Sequence, residues 1–263
     1  MDTYVLERGD APLLISLPHD GSTIPDVLSA RLHPAARRAP DTDWHVARLY
    51  APLARALGAS VLRPLASRYV VDLNRPADGQ ALYPGRRETG LVSTIGFDGE
   101  PLYLDPADEP DATEIQRRIA DYWQPYHAAL QEELARLQAL HGRVVLWEGH
   151  SIRGRVPMLF DGELPDFNLG TADGASCSPA LQQRLEQVLR EQAPPAPYSV
   201  VVNGRFKGGY ITRAYGRPNA GIDAVQLELA QRIYMDEDSF AYDEAKAALL
   251  QRALGRLLRA CLA

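Results

Sequence analysis

The sequence predicts an α/β fold in which a largely parallel sheet is covered by helices on both faces. Two observations support this. Short apolar segments with the length of strands alternate with amphipathic helical segments, and no repeat or low-complexity tract interrupts the alternation. The chain has 263 residues, which suits one large domain, so we expect a single domain over residues 1–263. In folds of this class, ligands bind beyond the carboxyl ends of the strands.

The first part of the chain supplies three predicted strands and one helix. Residues 12–17 form an apolar segment typical of a buried strand, and residues 60–65 and 69–73 predict two more. Residues 43–57 carry apolar side chains at helical spacing, and Gly58 lies where a helix C-cap is expected. This order indicates that the helix connects the first two strands.

The middle of the chain begins with a segment of irregular composition. Residues 76–110 are rich in Pro, Gly and Asp, and the segment is too long for a simple connection, so we expect a lid or substrate loop. Asp111 and Glu114 then have the spacing of a capping box and predict the start of a long helix. Pro125 should kink this helix and Gly142 should end it.

The rest of the chain continues the alternation. Residues 143–147 predict a fourth strand, residues 181–190 a helix and residues 198–202 a further strand. Residues 225–229 predict either a strand or the start of a helix, and residues 242–262 predict a closing helix.

Composition and charge exclude several classes of function. The net charge of −6 argues against binding to nucleic acids or anionic membranes. No apolar run approaches the roughly 20 residues that cross a bilayer, and the N-terminus lacks the pattern of a signal peptide. The two cysteines, Cys177 and Cys261, are too few for a disulfide framework or a multi-thiolate metal site. We therefore expect a cytoplasmic enzyme, and any anionic substrate requires arginines concentrated at its site.

Two histidines have positions typical of a metal site. His19 and His150 each follow a hydrophobic segment near a glycine, and two imidazoles with one carboxylate suit a catalytic zinc ion with an open fourth position. Hydrogen-bonded loop histidines are an equally good interpretation from position alone. Asp41 and Asp43 stand at the start of the first helix, where capping explains Asp41 most simply, so Asp43 is our candidate for the third ligand. For the remaining histidines we expect structural roles: His33, His45, His127 and His141.

Further polar residues after strands are candidates for substrate binding and proton transfer. Asn74 and Arg75 lie at a predicted strand exit, where the planar Arg fork could bind a carboxylate or form an ordinary salt bridge. Gly209, in a glycine-rich turn, would allow close approach of the backbone to a ligand, and Arg213 could bind a second carboxylate. Glu228 lies in an apolar segment, where burial would raise its pKa and suit it as a general base. The alternative for Glu228 is the exposed face of an amphipathic strand.

Several motifs occurring in one order resemble the N-formylglutamate amidohydrolase family, the deformylases of histidine breakdown. The resemblance covers nearly the whole chain and is carried by Ser16-Leu-Pro-His-Asp-Gly21, Asp41-Thr-Asp-Trp-His45, Val71-Asp-Leu-Asn-Arg75, Glu148-Gly-His-Ser151, Asn168-Leu-Gly-Thr-Ala-Asp-Gly and Lys207-Gly-Gly-Tyr-Ile-Thr-Arg213. It implies a three-layer α/β/α sandwich with a mixed, mostly parallel sheet, similar to zinc carboxypeptidases. It also implies one zinc ion and the hydrolysis of N-formyl-L-glutamate, a dianion, to L-glutamate and formate.

The resemblance also implies roles for individual residues. The zinc ligands would be His19, Asp43 and His150, and Glu228 would be the general base. Asn74, Arg75, Gly209 and Arg213 would bind the substrate, with Arg153 or Arg68 as further cationic candidates. The sequence departs from the His-x-x-Glu motif of carboxypeptidases, because the residue three positions after His19 is Ser22.

Three other functions fit parts of the same pattern. The nearest is a related zinc amidohydrolase that acts on another N-acyl amino acid, with an acetyl or succinyl group. A second is a non-catalytic binder of acylamino acids on the same scaffold. The weakest is a serine hydrolase using Ser151 beside His150, because neighbouring residues seldom point at each other and the G-x-S-x-G motif is absent.

Overall fold

A seven-stranded sheet forms the centre of the computed structural model, which describes residues 2–82, 85, 88–191 and 198–263. The strands are β1 (Tyr4–Glu7), β2 (Leu13–Ser16), β3 (Ser60–Pro64), β4 (Val144–Ile152), β5 (Phe167–Gly170), β6 (Val200–Val202) and β7 (Ile222–Ala230). Their order in the sheet is β1-β3-β2-β4-β7-β5-β6. Four neighbouring pairs are parallel, whereas β1 pairs with β3 and β5 with β7 in antiparallel fashion. The prediction of a mixed, mostly parallel sheet is confirmed.

Helices cover both faces of this sheet. They are α1 (Asp26–Ser29), α2 (Val46–Leu57), α3 (Ala112–Arg118), α4 (Gln124–His141), α5 (Pro179–Arg190), α6 (Tyr210–Tyr215) and α7 (Glu244–Leu262). Short 3-10 helices span Ala36–Arg38, Pro106–Asp108, Ala172–Gly174, Pro218–Ala220 and Gln231–Ile233. Within the described ranges, no helix combines the length and the apolar character that crossing a membrane requires.

The alternation of side chains along the strands divides the core into two layers. Leu13, Ile15 and Trp147 point to one face, where they pack in one cluster with residues of α2, α5 and α7. Leu14 and Leu146 point to the other face and pack with residues of α4 and α6. The sheet therefore lies between two helical layers, which confirms the predicted three-layer α/β/α sandwich.

The prediction of a strand over residues 69–73 is wrong. These residues form turns, with local bonds such as Val70 N to Ser67 O at 2.9 Å. The backbone NH of Asp72 donates to Leu91 O at 2.7 Å, in the irregular segment that follows. The segment is apolar because Val70, Val71 and Leu73 are buried, and burial alone does not require pairing with a strand.

The sequence-based prediction misses two strands and ends β4 too early, and residues 225–229, predicted as a strand or the start of a helix, lie in the strand β7. β1 and β5 were not predicted, because each has only four residues and carries little periodicity. β4 was predicted to end at Trp147 but continues to Ile152, and residues 148–151 therefore lie within the strand. Because residues 148–151 are extended, their side chains lie alternately on the two faces of the sheet.

The long helix begins at its predicted cap and changes its geometry near the proline. The side chain of Asp111 accepts from the backbone NH of Glu114 at 2.7 Å, although the Glu114 carboxylate pairs with arginines instead of returning to the cap. A π-helical turn, Ile119–Trp123, separates α3 from α4, directly before Pro125, whose nitrogen has no hydrogen to donate. α4 ends as predicted at Gly142, which has a φ of 73°.

The predicted lid or substrate loop, residues 76–110, connects this region to the sheet. Four of its positions, 83, 84, 86 and 87, lie outside the described residues. In its described part, the only helix is the 3-10 turn Pro106–Asp108, and the segment forms no strand of the sheet. Its irregular course agrees with the predicted lack of periodicity.

Candidate active site

Polar side chains collect at the carboxyl ends of the parallel strands. On β4, the side chain of Leu146 packs against the helices, and Glu148 and His150 follow on the same face. In the sheet register, Glu148 pairs with Gln226 of β7 and His150 with Glu228. This face of the sheet therefore changes from apolar to polar at the edge where ligands are expected.

Three potential metal ligands meet at this edge. Candidate ligand atoms of His19, Asp43 and His150 lie within 4.8 Å of one another, and all three residues are buried. Asp43 Oδ2 lies 3.0 Å from His150 Nδ1 and 3.9 Å from His19 Nδ1. The centroids of the two imidazole rings are 4.9 Å apart. The structure thus brings together the three residues that the sequence suggested as ligands.

Local backbone contacts position these ligands. His19 lies just beyond β2, and its carbonyl oxygen accepts from the NH of Asp43 at 3.0 Å. Asp20 Oδ1 accepts from the NH of Ala47 at 2.8 Å, which joins the turn after β2 to the first turn of α2. On β4, the NH of Ser151 donates to Asp43 Oδ2 at 3.1 Å. The cluster is therefore assembled from two strand ends and the segment that precedes α2.

Each imidazole has a carboxylate at its other nitrogen. His19 Nε2 lies 2.7 Å from Asp72 Oδ1, and His150 Nε2 lies 2.9 Å from Glu148 Oε1. Because an ionised carboxylate only accepts, both contacts favour a hydrogen on Nε2. In a neutral ring this leaves the Nδ1 lone pair for the cluster, whereas protonated His150 donates from Nδ1 to Asp43 Oδ2 at 3.0 Å. Carboxylates in this position orient histidine ligands and increase their basicity.

Further bonds hold the two supporting carboxylates. Asp72 pairs with Arg68 Nη2 at 2.7 Å and accepts from the NH of Asn74 at 2.8 Å. Glu148 accepts from both the backbone NH, at 3.1 Å, and the hydroxyl of Thr212. Asp72 and Glu148 are not among the residues predicted from the sequence, although a carboxylate directly after an apolar residue in each motif was a signal that could have found them.

The environment shifts the pKa values of the two histidines in opposite directions. Burial and the neighbouring Arg68 guanidinium lower the pKa of His19. Burial alone would also lower the pKa of His150, but hydrogen bonds to Asp43 and Glu148 outweigh it and raise this pKa well above the usual range. A metal ion would compete with the proton of His150 for the same lone pair.

The donor set suits a divalent metal ion. Two imidazole nitrogens and one carboxylate oxygen form the three-ligand set of catalytic zinc sites. Asp41, the alternative carboxylate, accepts instead from Tyr69 Oη at 2.7 Å and from the NH of Phe97 at 2.9 Å. The geometry therefore favours Asp43 as the carboxylate ligand.

Glu228 is buried beside this cluster. It is 6% exposed and stands opposite His150 in the sheet register. Burial, which disfavours the charged form, raises the pKa of Glu228 to about 8. Its environment matches the expectation of a buried carboxyl group with a raised pKa rather than the alternative of an exposed strand face.

A cavity that is partly open to solvent contains the cluster. It is lined by seven of the eight site residues predicted from the sequence: His19, Asp43, Asn74, Arg75, His150, Gly209 and Glu228. Leu82, Glu88 and Thr89 also line it, so the described part of the predicted substrate loop forms one wall. Glu88 Oε1 accepts from the NH of Leu82 at 2.8 Å, which holds this side chain in the wall.

Arg213, the eighth predicted residue, is not placed with the others. It is exposed on α6, its Nε donates to Gly208 O at 2.9 Å, and it does not line the cavity. Arg153 also lies outside, where it binds Glu237 O and Asp238. The position of Arg213 therefore gives no support to the predicted contact with a substrate carboxylate.

Asn74 and Gly209 pack directly against each other in the cavity wall. Asn74 Oδ1 accepts from the NH of Ile211 at 2.9 Å, and its Nδ2 lies 3.1 Å from His150 Nε2. The NH of Gly209 donates to Gln226 Oε1 at 2.6 Å. A Cβ atom on Gly209 would lie 2.2 Å from Asn74 Nδ2, so the close approach at this glycine is to a side chain of the protein itself.

The geometry does not support a serine hydrolase. The Ser151 hydroxyl accepts from Tyr234 Oη at 2.7 Å, on the opposite face of β4 from His150. Both ring nitrogens of His150 contact carboxylates, Asp43 and Glu148. His150 is therefore not positioned to take a proton from Ser151.

The chain is similar to proteins described as N-formylglutamate amidohydrolase or N-formylglutamate deformylase. A family model described as N-formylglutamate amidohydrolase matches residues 11–235. The chain is 52% identical over 258 residues to N-formylglutamate deformylase of Pseudomonas aeruginosa, covering 98% of this chain and 95% of that one. It is 50% identical over 257 residues to N-formylglutamate deformylase of Pseudomonas putida, covering 97% and 94%. A crystal structure of N-formylglutamate amidohydrolase from Ralstonia eutropha JMP134 matches with a TM-score of 0.81 at 29% identity, covering 99% of this chain and 97% of that chain.

Proposed function

Because the chain belongs to the N-formylglutamate amidohydrolase family, we propose that it hydrolyses N-formyl-L-glutamate to L-glutamate and formate, as the last step of a histidine degradation route. The observation that carries this proposal is the convergence of His19 Nδ1, Asp43 Oδ2 and His150 Nδ1 beside the buried Glu228, inside a cavity that also contains arginines. Such a site combines groups for amide hydrolysis with groups for binding an anion.

The metal of this proposal is Zn²⁺, held by His19, Asp43 and His150. When bound, the ion supplies Lewis-acid chemistry, because it polarises a carbonyl oxygen and makes a water more acidic. Asp72 and Glu148 keep both imidazoles in the tautomer that presents Nδ1. The protein thus contributes three ligand atoms and the two carboxylates that orient them.

Glu228 moves the proton in this proposal. Its carboxylate takes a proton from the water that attacks the formyl carbon, and it then gives that proton to the nitrogen as the C–N bond breaks. One water is consumed, and formate and the amine of glutamate are released. A pKa raised by burial brings a carboxyl group closer to the operating pH, where one group can serve as both base and acid.

The cavity also contains groups that suit a dianionic substrate. Arg75 lines it and donates from Nε to Thr89 O at 2.9 Å, which orients the guanidinium. A planar guanidinium can bind a carboxylate through two parallel hydrogen bonds. Arg75, with the neighbouring Asn74, is therefore proposed to bind one of the two substrate carboxylates.

A formate-release assay on the purified chain tests the proposal. N-formyl-L-glutamate should be hydrolysed with equal amounts of formate and glutamate formed, and activity should disappear on treatment with a chelator and return with Zn²⁺. Metal analysis should find about one ion per chain, the number that one three-ligand site binds.

Two alternatives give different results in the same experiment. An enzyme for other acyl groups would release acetate or succinate faster than formate from a panel of N-acyl glutamates and aspartates. A non-catalytic binder would bind these compounds without turnover and without stoichiometric metal. Either result would contradict the proposed function.

A further inference from the structure

The cavity contains one arginine that the sequence did not indicate, beside two that it did. Arg68, Arg75 and Arg205 all line it. Arg68 is already paired within the protein, because its Nη2 lies 2.7 Å from Asp72 Oδ2 and its Nη1 lies 3.9 Å from Asp43 Oδ1. Arg68 is thus held by the carboxylates of the candidate metal site, and we consider Arg75 and Arg205 for contact with an anionic substrate because both line the cavity.

Arg75 and Arg205 are held in the same way. Arg75 Nε donates to Thr89 O at 2.9 Å, and Arg205 Nε donates to Leu159 O at 2.7 Å. A bond from Nε to a backbone carbonyl restrains the plane of the guanidinium before a ligand arrives, which lowers the entropy cost of binding. Both side chains are partly buried, and partial burial strengthens their attraction to an anion relative to that in bulk water.

The two arginines enter the cavity from different segments of the chain. Arg75 follows the turns after β3, and Arg205 lies in the turn after β6. In the order of the sheet, these strands lie on opposite sides of β4, which carries His150. Two separately anchored cations suit a ligand with two separate anionic groups.

We propose that Arg205 binds one carboxylate of the dianionic substrate and that Arg75 binds the other, which makes Arg205 a specificity-determining residue. The inference rests on the proposed function, because N-formyl-L-glutamate carries two carboxylates. It replaces Arg213 with Arg205 as the second cationic contact.

Kinetic measurements on three substrates test this assignment. The substrates are N-formyl-L-glutamate and its two monoamides, in which either the side-chain or the α-carboxylate is neutral. The variants are Arg205→Met and Arg75→Met, and Arg155→Met, at an exposed arginine that pairs with Glu163 outside the cavity, serves as the matched control. Each cavity variant should raise KM for the diacid roughly 10- to 100-fold, as expected for loss of a charged hydrogen bond. The control should change it less than about twofold.

The pattern across the monoamides identifies the partner of each arginine. Arg205→Met should leave KM unchanged for one monoamide, and Arg75→Met should leave KM unchanged for the other. The inference is overturned if both increases in KM disappear with the same monoamide, or if Arg205→Met changes KM no more than Arg155→Met does. Arg205→Lys keeps the charge without the planar fork, so it replaces Arg205→Met in the same comparison if the methionine variant does not fold.

Calorimetric titration separates this inference from the proposed function. If the wild-type chain releases no formate, the proposed function fails, but binding of the same three compounds still tests Arg205. A weaker Kd for the diacid in Arg205→Met, with no weakening for one monoamide, would support the inference in that case. Equal Kd values in wild type and Arg205→Met would refute it whatever the kinetics show.

Discussion

Glu148 Oε1 lies 2.9 Å from His150 Nε2, and the two residues are neighbours on the same face of β4. The strand thus provides both a candidate metal ligand and the carboxylate that orients it. The same arrangement occurs at His19, where Asp72 arrives from a segment 53 residues away. In both cases the carboxylate determines which ring nitrogen faces the cluster.

Removing the negative charge of Glu148 should weaken metal binding without abolishing it. Glu148→Gln keeps an oxygen that accepts from His150 Nε2, but a neutral acceptor makes the imidazole a weaker ligand. We expect roughly a 10- to 100-fold loss of Zn²⁺ affinity, measured by competition with a chromogenic chelator. Glu132→Gln, at an exposed position on α4, is the control and should bind Zn²⁺ like the wild type. Unchanged affinity in Glu148→Gln would show that this carboxylate does not support the site.

Substitution of Glu228 should lower kcat without loss of the metal, whereas substitution of His150 should remove the metal. Glu228→Gln should retain the metal and lose roughly 10²- to 10⁴-fold in kcat, since general acid–base catalysis contributes about that much. His150→Ala should lose the metal itself, because it removes one of three ligand atoms. Metal content and kcat are measured on the same preparations. Wild-type activity in Glu228→Gln would remove Glu228 from the mechanism.

A methyl group at Gly209 should disturb the cavity wall. In Gly209→Ala the new Cβ would lie 2.2 Å from Asn74 Nδ2, so the Asn74 side chain must move and its bond to the NH of Ile211 should be strained or lost. We expect a loss of about 1–3 kcal/mol in the free energy of unfolding, measured by urea denaturation. Gly90→Ala is the control, because the nearest atom to its Cβ is Val92 O at 3.9 Å. Equal losses of unfolding free energy in both variants would show that the contact with Asn74 does not destabilise Gly209→Ala.

His127 should make the stability of the protein depend on acidity. It is buried beneath the stacked ring of Trp123 and bonded to Leu73 O and Tyr215 Oη, and burial lowers its pKa to about 4. Between pH 6.5 and 4 the unfolded chain therefore binds a proton that the folded chain does not, so stability falls as the pH falls through this window.

The size of this effect follows from the shift in pKa. Wild type should lose up to about 3 kcal/mol of unfolding free energy through His127 across the window, at 1.36 kcal/mol per unit. His127→Gln should be less stable near pH 7 but should lack this part of the acid dependence, measured by urea denaturation of chelator-treated protein. His141→Gln, at an exposed position, should keep the wild-type slope. If the unfolding free energies of wild type and His127→Gln had the same dependence on pH, His127 would not be a source of the acid sensitivity.

Local patterns were sufficient to predict much of the fold and the centre of the site. Apolar segments of strand length, helical periodicity and cap residues placed most of the elements, because these signals depend on residues close together in the chain. His19 and His150 were found for a related reason, since polar residues that follow buried strands meet at one edge of a parallel sheet. Asp43 was found as a carboxylate at the start of the first helix. The apolar residues 69–73 show the limit of this reasoning, because they are buried in turns rather than paired in a strand.

The partners of these ligands and the cations of the cavity required the packed chain. Asp72 and His19 are 53 residues apart, and Arg205 and Arg213 stand in one glycine-rich turn and helix, yet only Arg205 lines the cavity. The order of the strands and the direction of each side chain decide these contacts, and both arise from packing between distant segments. A sequence motif limits which residue types are near a site, whereas the fold selects which of them point into it.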